Sequence, residues 1–340
     1  MDKKVISVGL QGGGSHGAFT WGVLDRLLED ERIAIDGVSG ASAGAVNAVV
    51  LAHGFATGGR VGARRALTKF WDSVSATWSG GEALYFLTRY FSPSQANPLN
   101  INPLREILAA QIDFEHLRSA STIKLFVSAT EVSSGLPRFF GNGEITLDAV
   151  LASASLPTLM HPVEVNGKAY WDGGLTANPP IRPLLYECAA RDILLVLLNP
   201  ARRPGIPADA EQIRRRLDEL SFSSALSSEL QGIALAKQEA ERHSISRGYL
   251  EDKLRGLNMH AVYPPDSVSR LSTLTRLNTE GRFLKTLHDA GRRQMDTWLE
   301  NNLPASAAPR PSRSMLTCHP RHLLPDRALP KTRGSPSADK

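Results

Sequence analysis

The sequence predicts an α/β fold in which helices cover a central, mostly parallel β-sheet. The first observation is a pair of strand–turn–helix units within the first 55 residues, with strands at 5–10 and 33–38. The second is that short apolar runs typical of buried strands return at 123–129 and 193–198. Parallel strands need long crossover connections, so this alternation indicates helices packed on the sheet.

The elements follow in order from this pattern. A glycine-rich turn at 12–17 precedes apolar residues at helical spacing through Asp30, and a tight turn at 40–44 precedes a helix at 45–52 and a loop at 54–59. Further along, helical spacing predicts helices at 63–87, 104–110, 145–155, 208–241 and 273–299, the last broken near Gly281 and Gly291. An Asn-Gly turn predicts a hairpin of two strands across 163–171.

Composition allows a sizeable core and excludes several classes of protein. The chain has 340 residues, of which 42% are apolar, enough for one large domain. With only Cys188 and Cys318, neither a disulfide framework nor a cysteine metal site is indicated. No apolar run approaches the roughly 18 residues of a membrane span, and no signal peptide is evident, so we expect a cytoplasmic protein.

The net charge of +5 is concentrated at the carboxyl end. Residues 304–340 contain seven Lys or Arg, two Asp and seven of the 21 prolines, so the rest of the chain is neutral. We predict one folded domain at 1–303 and a disordered basic tail at 304–340, which is either solvated or attracted to anionic lipid or nucleic acid. The body carries no sign of nucleic-acid binding.

The turn at 40–44, GASAG, fits the G-x-S-x-G pattern of a nucleophilic serine. In that turn a strand reverses sharply into a helix, which exposes the serine oxygen and directs the helix amides at it. Because a strand precedes Ser42 and an apolar helix follows it, the sequence favours Ser42 as a nucleophile over a simple tight turn.

The glycine-rich turn allows two interpretations. Gly12, Gly13 and Gly14 can direct backbone amides at one point, as an oxyanion hole requires. The same residues, GGGSHG, also form a literal G-x-G-x-x-G, and Asp36 lies where a ribose-binding acid of a dinucleotide fold would be. A dinucleotide-binding oxidoreductase is therefore the alternative enzyme.

A third motif at 171–180, WDGGLTANPP, places Asp172 before two glycines. It is either a β-turn closed by the aspartate or a bend that presents the carboxylate to a site. A nucleophilic serine needs a base. Among the nine histidines, His16 and His161 stay possible, but no local feature selects either.

The three motifs in this order resemble the patatin-like phospholipase family. The similarity includes SLP at 155–157 and covers about residues 5–300, and 92–104 and 269–299 resemble bacterial members. It implies a three-layer α/β/α fold that hydrolyses lipid acyl esters of the phospholipase A or lysophospholipase type. In that family Ser42 would be the nucleophile and Asp172 its base, without a cofactor, and peripheral membrane contact would be possible.

One position departs from the family pattern. Many members carry arginine where this sequence has His16, which would be less able to orient a phosphate group at neutral pH.

A non-catalytic acyl-binding protein with the same motifs is a further alternative. An aromatic-rich segment, including Phe86 and Phe91, either packs in the core or caps the site toward a membrane.

Overall fold

The computed structural model describes residues 3–77, 92–199, 205–242, 248–269, 271 and 273–303. In these ranges eight strands form one sheet in the order β5-β6-β3-β2-β1-β7-β8, and β4 pairs with β3. The strands are β1 Lys4–Leu10, β2 Ile33–Ala41, β3 Lys124–Glu131, β4 Pro137–Phe140, β5 Val163–Val165, β6 Lys168–Asp172, β7 Asp192–Val196 and β8 Asn258–Val262.

Five neighbouring strands, from β3 to β8, are parallel, whereas β4, β5 and β6 make the antiparallel edge. The helices of the described ranges are α1 Gly17–Glu29, α2 Ala43–Thr77, α3 Pro93–Ala96, α4 Pro103–Gln111, α5 Phe114–Ala120, α6 Leu147–Ser153, α7 Arg182–Glu187, α8 Ala210–Arg242, α9 Tyr249–Arg255, α10 Asp266–Ser269 and α11 Gly281–Asn302. The predicted mostly parallel α/β sheet is confirmed.

Helices cover both faces of the sheet, and β7 shows why. Leu194 and Val196 point into a core shared with α1, α2 and α11, whereas Ile193 and Leu195 point into a second core shared with α7, α8 and α9. Alternate residues of a strand face opposite sides, so a continuous apolar run needs cover on both. The result is the three-layer α/β/α arrangement.

Two helix boundaries differ from the sequence prediction. The loop expected at 54–59 is reduced to a kink at Gly58 and Gly59, where α2 reverses and continues. The break expected at Gly291 is also wrong, because α11 runs through it. A side chain at Gly291 would strike the Phe19 carbonyl, so this glycine allows α1 and α11 to approach closely.

Two predicted features lie outside the described residues: the aromatic segment at 78–91 and the basic tail at 304–340. The proposed boundary between domain and tail therefore stays a prediction. No helix in the described part of the chain is long and apolar enough to cross a membrane.

Candidate active site

The three predicted motifs meet at the carboxyl edge of the sheet. Gly12 and its neighbours follow β1, Ser42 follows β2, and Asp172 ends β6. Strand β3 connects the last two positions, because it pairs Ser128 with Ala41 on one side and Ala129 with Asp172 on the other, and β1 pairs with β2. Ligand sites of open α/β sheets form at this edge.

Ser42 occupies a strained turn between β2 and α2. Its φ of 54° lies in the left-handed region, which non-glycine residues seldom adopt. Its N–H donates to the carbonyl and the hydroxyl oxygen of Ser153, at 3.1 and 3.0 Å. A side chain at Gly44 would strike the Leu10 carbonyl, so the second motif glycine is required for close packing. The turn holds the serine side chain at the amino end of α2.

Asp172 is completely buried and has no cationic partner among the described residues. One carboxylate oxygen, Oδ1, accepts the Gly174 N–H at 2.7 Å, whereas Oδ2 has no hydrogen-bond partner in the described ranges. Burial raises the pKa of Asp172 to about 7, although the Ser42 side chain and the Gly174 amide oppose the increase. This carboxyl group can therefore gain or lose a proton near neutral pH.

The glycine loop is held by the third motif. Asn178 Oδ1 accepts the Gly12 N–H at 2.6 Å, and Asn178 Nδ2 donates to the Phe222 carbonyl at 3.1 Å. The Gly12 amide, one of three predicted oxyanion donors, is thus engaged with Asn178. Gly13 and Gly14 continue the loop, and the positive φ of Gly14, 58°, suits glycine.

The two histidines left open as bases are directed elsewhere. His16 Nε2 contacts Thr275 Oγ1 at 2.8 Å, and His161 Nε2 contacts the Asn97 carbonyl oxygen at 3.0 Å. Burial, and then the charge of Arg276, lower the pKa of His16 to about 3. Neither ring forms a described hydrogen bond with Ser42.

The dinucleotide interpretation is not supported by Asp36. Its Oδ2 accepts the backbone N–H groups of Ala189 and Ala190 at 2.5 and 2.9 Å. The carboxylate therefore connects the amino-terminal half of β2 to the chain before β7, away from the carboxyl edge of the sheet.

A cavity of about 150 Å³ opens beside Ser42. Most of the side chains that line it are apolar and come from α2, α4 and the segment after α6. They are Ala43, Val46, Phe70, Trp71, Val74, Leu104, Ile107, Ala154, Leu156, Leu159, Met160 and Leu277, and the lining also includes Gly14, Ser15, Arg276 and Thr279. Such a lining suits a hydrocarbon chain.

Sequence patterns did not identify three residues of the site. Ser153 and Asn178 hold the serine turn and the glycine loop, and Arg276 lines the cavity. Asn178 lies in a motif that had been noted without a role. Arg276 carries no local signal, because its place follows from packing between parts of the chain that are far apart in sequence.

Comparison with known proteins gives three kinds of match. A curated relative, the cGAMP-activated phospholipase of Escherichia coli (strain TW11681), is 31% identical over an alignment of 204 residues, and the match covers 53% of this chain and 55% of that protein. The match therefore spans about half the length of that relative.

Two solved structures are more distant. The structure of VipD from Legionella pneumophila is 15% identical with a TM-score of 0.41, and covers 88% of this chain and 67% of that one. ExoU of Pseudomonas aeruginosa, solved with SpcU, is 15% identical with a TM-score of 0.31, and covers 86% of this chain and 53% of that one.

The family model described as patatin-like phospholipase matches residues 9–185, more than half of the sequence. The chain belongs to the patatin-like phospholipase family.

Proposed function

We propose that this protein is a serine acyl hydrolase that cleaves lipid acyl esters through Ser42 and Asp172. The observation that carries the proposal is the pairing of a strained, partly exposed serine with a buried carboxyl group whose pKa is raised to about 7 by burial. A general base works best when its pKa is near the working pH. A carboxylate of ordinary pKa, near 4, would be a much weaker base for an alcohol.

The reaction would proceed in two steps. Ionised Asp172 accepts the hydroxyl proton of Ser42, and Ser42 Oγ bonds to the ester carbonyl carbon. The carbon–oxygen bond to the alcohol then breaks, and the alcohol leaves with the proton from Asp172. Water attacks the acyl-enzyme, again giving its proton to Asp172, and the fatty acid leaves as Ser42 regains its proton.

The glycine loop would stabilise the oxyanion of both steps. With the Gly12 N–H engaged by Asn178, we assign this role to the amides of Gly13 and Gly14. Oδ2 of Asp172 has no hydrogen-bond partner in the described ranges, and the Ser42 side chain contacts the carboxyl group closely enough to lower its pKa. Such contacts commonly tighten only when substrate binds.

The cavity beside the serine supports a lipid acyl ester as the substrate. An acyl chain would occupy its apolar lining while the ester carbonyl lies at Ser42. This arrangement favours a phospholipase A or lysophospholipase type of reaction. The family and the phospholipase name of the E. coli relative support it.

Peripheral contact with a membrane is part of the proposal. Leu99 and Ile101 are 80% and 62% exposed, and they precede Leu104, which lines the cavity. Leu274 is 42% exposed and lies two residues before Arg276. These apolar side chains near the cavity would insert into the lipid surface from which a substrate is taken. Replacing Leu99 and Ile101 by serine should reduce sedimentation with liposomes while leaving turnover of a soluble ester unchanged.

The decisive experiment measures hydrolysis of a short p-nitrophenyl ester and labelling by a fluorophosphonate. Wild type should turn over and label, whereas Ser42→Ala should do neither and Asp172→Asn should lose turnover. Matched controls are Ser133→Ala and Asp148→Asn, which change an exposed serine and an exposed aspartate outside the site. All variants must first be shown to be folded.

The opposite outcome has a clear meaning. If folded wild type neither labels nor hydrolyses any ester, the hydrolase proposal fails. Binding of a fluorescent fatty acid to that inactive protein would then favour the acyl-binding alternative.

A further inference from the structure

Arg276 stands out among the residues that line the cavity beside Ser42. It is the one charged side chain in that lining, among the described residues. It belongs to a 3-10 turn, Thr273–Leu277, that packs against the glycine loop. A side chain at Gly14 would strike the Arg276 carbonyl, so loop and turn are in close contact.

The Arg276 guanidinium is held in position by Asn199, which follows β7. Its Nη2 donates to Asn199 Oδ1 at 2.8 Å, and the Asn199 N–H donates to Gln11 Oε1 at 3.1 Å. Arg276 is therefore connected to the ends of β7 and β1, next to the serine. A guanidinium carries five N–H donors in a fork whose geometry matches the oxygens of a phosphate group.

The ionisable groups near Arg276 that do not line the cavity include His16 and Asp218. His16 is buried, and its lowered pKa keeps the ring neutral at physiological pH. Asp218 lies near Arg276; burial and, to a smaller extent, the charge of Glu219 raise the pKa of Asp218, whereas the charges of Arg276 and Arg214 lower it. Asp218 thus interacts with both arginines, and it does not line the cavity.

We propose that Arg276 binds the phosphodiester group of a phospholipid or lysophospholipid whose acyl ester lies at Ser42. This inference rests on the proposed function and specifies its substrate. In a glycerophospholipid the phosphate is only a few bonds from the acyl carbonyl, so both can be held in one cavity. The acyl chain would take the apolar lining and the phosphate the single charged side. A neutral acylglycerol would gain nothing from Arg276.

The test compares two substrates that differ in the phosphate group. Lysophosphatidylcholine and monoacylglycerol with the same acyl chain are presented in the same mixed micelles to wild type and Arg276→Gln. Glutamine keeps a side-chain amide that can reach toward Asn199 but removes the charge. We expect kcat/KM for lysophosphatidylcholine to fall about 10- to 100-fold, since charged hydrogen bonds are the strong ones. The value for monoacylglycerol should change less than about threefold, within the range of a surface substitution.

Two further variants separate charge from fork geometry and from general electrostatics. Arg276→Lys keeps the charge but loses the fork, so we expect an intermediate loss for lysophosphatidylcholine. Arg214→Gln removes a nearby cation that does not line the cavity, and it should leave the preference between the two substrates unchanged.

An equal loss for both substrates in Arg276→Gln would overturn the inference and make Arg276 a support of the glycine loop alone. An unchanged kcat/KM for lysophosphatidylcholine in Arg276→Gln would overturn it as well. If wild type hydrolyses neither substrate, the proposed function fails instead, and binding of the two lipids to wild type and Arg276→Gln still decides the inference. Equal affinity of both proteins for lysophosphatidylcholine would then reject it.

Discussion

Two buried aspartates of this chain have opposite surroundings. Asp172 lies at the carboxyl edge of the sheet with no cation beside it among the described residues, and burial raises its pKa to about 7. Asp25 lies between α1, α2 and α11, where Arg64 Nε contacts Oδ1 at 2.7 Å and both Arg292 and His288 contact Oδ2. Burial would raise the pKa of Asp25 too, but the hydrogen bond from His288 and the charges of Arg64 and Arg292 hold it well below its usual range.

The difference shows how one residue type serves two purposes. Asp25 stays ionised and connects three helices, so its cost of burial is offset by partners. Among the described residues, Asp172 has one backbone N–H donor, the nearby Ser42 side chain and an oxygen without a hydrogen-bond partner, so its burial is compensated only in part. A buried ionisable group that the fold does not pair with an opposite charge is a candidate for function.

The largest expected effect concerns Asp25. Asp25→Asn leaves Arg64 and Arg292 without their shared carboxylate in a buried place, which should lower the free energy of unfolding by about 3–5 kcal/mol. Chemical denaturation at pH 7 measures this loss. The control Asp148→Asn removes an exposed pair with Arg105 and should cost less than about 1 kcal/mol. Equal losses in both variants would show that the buried carboxylate of Asp25 stabilises the fold no more than an exposed ion pair does.

For Asp172 the expected change in the free energy of unfolding has the opposite sign, because removing this carboxylate should stabilise the protein at high pH. Its folded-state pKa, about 7, exceeds the ordinary 3.8, so the folded state holds the proton more tightly. This stabilisation is present below about pH 4 and is lost as the pH rises through about 7. Asp172→Asn, which stays neutral, should therefore be more stable than wild type at pH 8 by up to about 4 kcal/mol, and similar to it at pH 4. A lower Tm for Asp172→Asn at pH 8 would be the wrong sign.

The smallest expected effect is in the pH dependence of turnover. If Asp172 must be ionised to accept the Ser42 proton, kcat should fall about tenfold per pH unit below an apparent pKa of about 7. The measurement is hydrolysis of a p-nitrophenyl ester from pH 5 to 9, with folding checked at each pH. A profile that stays flat down to pH 5 would exclude Asp172 as the base.

The elements predicted best are those with strong local patterns. The strands at β1 and β2 and the hairpin turn at Asn166-Gly167 agree with the structure, where both turn residues have positive φ. Short elements such as α5, β4, α7, α9 and β8 had no prediction, because their apolar residues are too few to show a period. The loop expected at 54–59 is mostly helix, since packing of the two arms of α2 overrides the low helix propensity of glycine.

The sequence by itself determined the fold class and the chemical type of the site. Ser42, Asp172 and the glycine loop each carry a local pattern, because a sharp turn, a bend and an amide-rich loop need particular residues at fixed spacing. Only the tertiary structure decided that burial makes Asp172 titrate near neutral pH, that Asn178 engages the Gly12 amide, and that Arg276 lines the cavity. Burial, electrostatics and long-range contacts depend on which distant segments meet, and no spacing along the chain encodes that.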